Sequence, residues 1–142
     1  MSAMQRRTYE SEITPGMCDI NGHMNVVYYT QFFDAATWKL LSFLTGDPPL
    51  ANDGLSWADV RHHIEFLREV RAGETIHVLS QVNRVGSKSL TLKHALTVAD
   101  ERRPRATCEV VTVRFDLQAR QAVSLPRTLK DRARETLAAG AG

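Results

Sequence analysis

Residues 18–44, CDINGHMNVVYYTQFFDAATWKLLSFL, join two kinds of chemistry without a break. Residues 18–25 supply an acid, two amides, a glycine and an imidazole, whereas residues 26–44 are rich in apolar side chains and contain no proline or glycine. The second part predicts a helix of about five turns, from Val26 to about Leu44. Apolar residues fall on nearly every face of it, so it predicts a helix buried on all sides. The first part sits at that helix's start, where backbone N–H groups lack intrahelical partners and the macrodipole carries partial positive charge.

Upstream, RRTYESEIT (6–14) alternates well enough for a strand, and Pro15 and Gly16 stop it. Downstream, TGDPPLANDG (45–54) is a turn-rich connection, and the period changes from Leu55. LSWADVRHHIEF (55–66) sets Val60, His62, Ile64 and Phe66 against Asp59, Arg61, His63 and Glu65, a strand with one wet face. ETIHVLSQVNRV (74–85) and SLTLKHALTVA (89–99) follow, joined by a tight GSK (86–88). RATCEVVTVRFDL (105–117) adds another strand, with Val111, Val113 and Phe115 on one face. Short links between strands mean antiparallel hairpins. The tail PRTLKDRARETLAAGAG (126–142) reads as a short amphipathic helix that frays into small residues.

This order predicts an α+β fold in which a curved antiparallel sheet of about five strands wraps a long central helix. The whole chain, 1–142, is expected to form one domain, with its core over about 6–125 and the short helix and frayed tail over 126–142. Such a sheet keeps an edge, and pairing with a second copy is the expected remedy, giving a homodimer or homotetramer. The apolar fraction of 43%, charged fraction of 24% and net charge of +2 give no reason to expect a nucleic-acid partner. Cys18 and Cys108 have no CxxC spacing, and neither a signal peptide nor an apolar run of about 18 residues is seen. The expectation is a reduced, cytoplasmic, soluble protein without membrane association.

Three segments, MCDINGHMNVVYYTQFFDAA (17–36), VRHHIEFLREVRAGE (60–74) and GSKSLTL (86–92), together resemble the hotdog-fold acyl-CoA thioesterases of the 4-hydroxybenzoyl-CoA thioesterase type. The resemblance covers roughly residues 6–125, and its most specific part is the loop that places Asp19, Gly22 and His23 between a first strand and the helix. It implies hydrolysis of an acyl-CoA to a carboxylic acid and free CoA, with the coenzyme entering as part of the substrate and no separate cofactor. It implies further that Asp19 carries the chemistry, that the Val26 N–H polarises the carbonyl, and that the GSK turn helps hold the nucleotide through Lys88.

The residues themselves fit such chemistry. Asn25 is placed as N-cap, with Met24 and Tyr29 spaced as a hydrophobic staple, so the N–H groups of Val26 and its neighbours can meet an oxygen that gains negative charge. Gly22 permits a tight loop, or the close passage of an acyl chain. Asp19 serves as base toward water or as nucleophile toward the thioester carbon. His23 orients that water, donates to the carbonyl or interacts with Asp19. The bland alternative is that Asp19 and Asn21 only shape the loop. Tyr29 and Trp57 are candidate members of an aromatic pocket that suits an aryl or a cationic acyl group.

Arg84, Ser87, Lys88 and Ser89 form a compact set for phosphate oxygens, with Arg68 and Arg71 as weaker candidates. His62 and His63 are strand neighbours on opposite faces, which argues against a shared metal. Cys18 reads as a small buried residue at a strand end, and no G-x-S-x-G elbow is present. Two other readings compete: hydration of an enoyl thioester, and a non-catalytic acyl-CoA or partner-binding module.

Overall fold

A computed structural model describes residues 5–46 and 54–137. The middle of the turn-rich connection and the end of the tail, expected to fray, lie outside the described residues. Strand β1 (Arg6–Glu12) leads through a 3-10 turn and the loop to helix α1 (Val26–Thr45). Strands β2 (Leu55–Phe66), β3 (Thr75–Val85), β4 (Ser89–Val98) and β5 (Ala106–Asp116) follow, then the two-residue β6 (Gln121–Ala122) and helix α2 (Arg127–Glu135). The sheet runs β1-β3-β4-β5-β2 with β6 beside β5, and every pairing is antiparallel. The expected α+β architecture, a long helix packed on one antiparallel sheet, is what forms.

Helix α1 begins at Asn25 and ends at Gly46, whose left-handed φ of 81° closes the last turn onto the Ser42 carbonyl. It buries Tyr29, Phe32, Phe33, Ala36, Thr37, Leu40, Leu41 and Leu44, a stripe at helical spacing, against β1, β3 and β4. It barely reaches β2. The expectation of burial on all sides therefore fails within one chain: Val26 and Val27 are 56% and 61% exposed, and Trp38 and Phe43 are only half-buried. One sheet covers one face of a helix, and the remaining apolar residues are left for something else to cover.

One strand reading changes as well. The pairing of β2 with β5 slips at Val60, where a bulge inserts one unpaired residue between Asp59↔Thr112 and Arg61↔Val111. Trp57, Asp59, His62, Ile64 and Phe66 consequently share the helix-facing side, paired with Arg114, Thr112, Val110, Cys108 and Ala106. Asp59 thus moves out of the set assigned to the wet face, and both faces of β2 are exposed from Asp59 to His63 because nothing among the described residues covers that edge. In β5 the buried side is Ala106, Cys108, Val110, Thr112 and Arg114, while Val111, Val113 and Phe115 occupy the opposite, half-exposed face.

A polar thread crosses the core. His94, fully buried on β4, lies 2.8 Å from Thr37 Oγ1 through Nε2 and 2.6 Å from Ser80 Oγ through Nδ1. The Thr37 hydroxyl donates to Phe33 O at 2.9 Å, so it accepts from an Nε2–H, and Nδ1 accepts from Ser80. The Ser80 and Thr8 hydroxyls lie 2.7 Å apart, and Thr8 Oγ1 is also 3.3 Å from Val78 O. The chain runs β1 to β3 to β4 to α1 and is satisfied at each step in the neutral imidazole. Burial accordingly pushes His94 down to about 4.

Candidate active site

The loop between β1 and α1 is a miniature hairpin. Cys18 and Met24 pair as an isolated antiparallel bridge, Asp19 N donates to His23 O, and Gly22 N donates to Asp19 O, both at 3.0 Å. Gly22 has φ of 83°, while a side chain built there would meet nothing within 4 Å. Its role is therefore conformational and not a matter of space. Asp19 Oδ1 accepts from Asn21 N at 2.8 Å, an Asx turn that realises the loop-shaping role. Its other oxygen has no hydrogen bond among the described residues, so a half-buried carboxylate keeps one free oxygen. Cys18 is half-buried, with its thiol 3.7 Å from Thr14 O, rather than the buried residue expected.

At the helix start, Asn25 caps as its position implies, its Oδ1 accepting from Val27 N at 3.1 Å. Tyr28 N turns back to Asn25 O at 3.0 Å. These bonds use up the neighbours and leave the Val26 N–H without a partner among the described residues. Met24 and Tyr29 are both buried in the same core cluster, as a staple requires, and Met24 N is tied to Val70 O at 2.6 Å.

A cavity of about 380 Å³ opens in front of this helix start, lined by Asp19, His23, Met24, Val26, Tyr29, Phe66, Leu67, Arg68 and Glu69. The structure thus brings Asp19, His23, Val26 and Tyr29 together, with Gly22 and Asn25 holding the backbone behind them. The ring of Phe66 meets that of Tyr29 edge to face at 5.0 Å. Burial raises the Tyr29 phenol, with Arg105 pulling the other way. Sequence reasoning missed Phe66, Leu67 and Glu69. Phe66 and Leu67 are 52% and 50% exposed, and two bulky apolar residues left open at a strand end are the signal that could have found them.

Other candidates lie elsewhere. Trp57 lies nine positions before Phe66 on β2, about 30 Å of extended chain. The turn carrying Ser87 and Lys88 lies at that same far end: Lys88 O accepts from Arg114 N at 2.9 Å, and Arg114 pairs with Trp57. Arg84 and Ser89 flank the same turn. Within one chain, then, neither Trp57 nor Arg84, Ser87, Lys88 and Ser89 reaches Asp19. Arg68 lines the cavity but bonds Glu101 at 2.8 Å, and Arg71 is paired with Glu69. His62 and His63 point to opposite faces, to Asp59 at 2.7 Å and to Glu65 at 3.2 Å.

Comparison with known proteins reaches the same place. The family model described as thioesterase-like superfamily matches residues 13–133. The L-carnitine dehydrogenase/betainyl-CoA thioesterase of Agrobacterium fabrum is 32% identical over 123 residues, 87% of this chain and 25% of that protein. The betainyl-CoA thioesterase of Pseudomonas aeruginosa is 32% identical over 90 residues, 63% of this chain and 57% of that protein. The chain therefore spans a quarter of the first relative's length and little more than half of the second's.

Among solved structures, a Staphylococcus aureus protein in complex with CoA superposes with a TM-score of 0.79 at 17% identity, covering 93% of this chain and 84% of that one. The 1,4-dihydroxy-2-naphthoyl-CoA thioesterase of Synechocystis superposes at 0.74 with 15% identity, covering 92% and 96%. At such identities these likenesses speak to the fold, which is the hotdog arrangement. With a family match that takes in the Asp19 loop, helix α1 and strands β2 to β5, the chain belongs to the thioesterase-like superfamily.

Proposed function

We propose that the protein hydrolyses an acyl-CoA thioester to a carboxylic acid and free CoA. The observation that carries this is the unpartnered Val26 N–H at the start of α1, opening into the same cavity as the half-free Asp19 carboxylate. A thioester carbonyl placed at Val26 develops negative charge against that N–H and the positive end of the helix. Asp19 takes the proton of an attacking water, or attacks the carbon itself to give a mixed anhydride that water opens. In either route the C–S bond breaks and CoA leaves as the thiol. His23, on the cavity wall, is placed to orient the water.

The cavity offers the rings of Tyr29 and Phe66, surroundings that suit a compact cationic group, beside a Glu69 carboxylate already paired with Arg71. The two curated relatives carry betainyl-CoA in their names, and the betainyl group ends in a trimethylammonium. A cationic acyl-CoA is thus the first substrate to test, beside neutral aliphatic and aryl esters. Thiol release, followed with a thiol reagent, is expected from at least one of them, with the cationic ester fastest. Loss of enoyl absorbance without thiol release would favour the hydratase reading. Binding of acyl-CoA without either would favour a binding module.

The nucleotide requires a second copy. Among the described residues the outer edge of β2 is unpaired, and pairing it antiparallel with its own copy about a two-fold axis reverses the strand. That sets the far end of one sheet beside the near end of the other, bringing the partner's Trp57 and the partner's Lys88 toward Asp19. The active unit is accordingly a homodimer with a composite site. Lys88→Ala should raise KM for a CoA thioester by roughly five- to thirtyfold, and less for a thioester lacking the nucleotide. Mixed with Asp19→Asn, it should regain activity at low substrate concentration, because the heterodimer contains one intact site. A mixture no better than its components would refute the composite site.

A further inference from the structure

The segment after β2 is held from two sides. Met24, inside the Asp19 loop, donates to Val70 O at 2.6 Å. From the opposite side the Arg105 carbonyl accepts from Leu67 N at 2.9 Å and Arg68 N at 3.0 Å, and Arg105 Nη1 donates to Glu69 O at 2.5 Å. The Arg105 guanidinium is itself fixed by two carboxylates. Its Nε and Nη2 donate to Glu101 at 2.9 and 2.6 Å, and Nη2 also donates to Glu74 at 3.0 Å. Only a planar fork makes these bonds together, and a lysine ammonium cannot. Hydrogen bonds from Arg105 above all, and then from Arg68, hold Glu101 down at about 2, so the clamp stays charged over the range in which enzymes work.

Leu67, Arg68 and Glu69 form one wall of the cavity, and Val70 carries the acceptor that seats Met24. We propose that Arg105 is a positioning residue of the hydrolysis: it sets the 67–70 wall and, through the Val70–Met24 bond, the placing of the Asp19 carboxylate. It touches no substrate, and this role rests on the hydrolytic reading above. Displacing a catalytic group by about 1 Å costs on the order of a hundredfold in rate, so the effect belongs in turnover.

Arg105→Met and Arg105→Lys should each lower kcat by about ten- to a hundredfold on the best substrate. Amide exchange should quicken at Met24, whose acceptor Val70 follows the Glu69 carbonyl that the Arg105 side chain holds, while Leu67 and Arg68, bonded to the Arg105 backbone carbonyl, and the interiors of β3 and β4 keep their protection. Combined with Asp19→Asn, Arg105→Met should cost little more than Asp19→Asn alone, since the lost geometry matters only through Asp19. Multiplying losses, or quickened exchange throughout the sheet, would make Arg105 a general stabiliser and overturn the proposal. Should Arg105→Met fail to fold, Arg105→Lys and Glu101→Gln carry the same comparisons. A wild-type protein that releases thiol from no acyl-CoA would end the hydrolytic reading; unchanged exchange at Met24 in the variants would end the clamp independently.

Discussion

Asp19→Asn lowers kcat by about 10²- to 10⁴-fold while leaving substrate affinity within a few-fold, the expected result of removing a positioned carboxylate. The amide retains an oxygen that can accept from Asn21 N, the bond that makes the Asx turn at 2.8 Å, so the loop is expected to survive. The hairpin bonds from Asp19 N and Gly22 N are backbone bonds and are untouched. What disappears is the charge on the oxygen left free and its capacity to take a proton or form an acyl bond. Turnover measured beside calorimetric binding separates the two quantities. A folded variant with near-native kcat would remove Asp19 from the chemistry.

The second large effect is on stability in acid. Burial favours the neutral His94 ring and holds it at about 4 in the folded protein, against 6.5 for the ordinary side chain. Between those values the unfolded chain binds more protons, so stability is fully present above about pH 6.5 and falls as the pH descends toward 4. A shift of that size corresponds to about 3 kcal/mol. The groups facing His94 act on it in opposite senses, His62 lowering its pKa and Asp59 raising it. Cys108, opposite it in register on β5, has its thiol pushed up by burial to about 12 and adds no charge. Denaturant unfolding from pH 8 to 4 should show the decline. His94→Gln, which can offer a donor to Thr37 and an acceptor to Ser80 but does not titrate there, should flatten it. An equal decline in that variant would place the acid sensitivity elsewhere.

What could be read from the chain was whatever depends on local order. The polar loop, the Asn25 cap and the apolar stripe of α1 are set by residues within a few positions of one another, and the helix-start site follows from them. The missing parts depend on register or on distance. The bulge at Val60 leaves no mark in an alternating pattern, because one inserted residue in LSWADVRHHIEF still alternates on either side of it. Phe66, Leu67 and Glu69 join the site only because the end of β2 returns to the start of α1. Arg105 sits in a run of charges, ERRPR, that looks like an ordinary solvated turn until Glu74, distant in sequence, meets it. The turn around Lys88 was legible as a cationic cluster, while its position at the far end of the sheet was not.

The bulge in β2 also makes the strand sensitive to parity. Trp57 and Asp59 are odd-numbered, His62, Ile64 and Phe66 are even, and one extra residue at Val60 lets both sets face the helix. Deleting Val60 itself would leave a longer unbroken ladder with β5 in which the same five side chains still face the helix, because Asp59↔Thr112 and Arg61↔Val111 are already successive pairs. Away from the bulge, changes of two residues preserve the alternation where changes of one reverse it. Along this edge, the backbone counts residues in pairs, so sequence drift by substitution is far easier to absorb than drift by a single insertion or deletion.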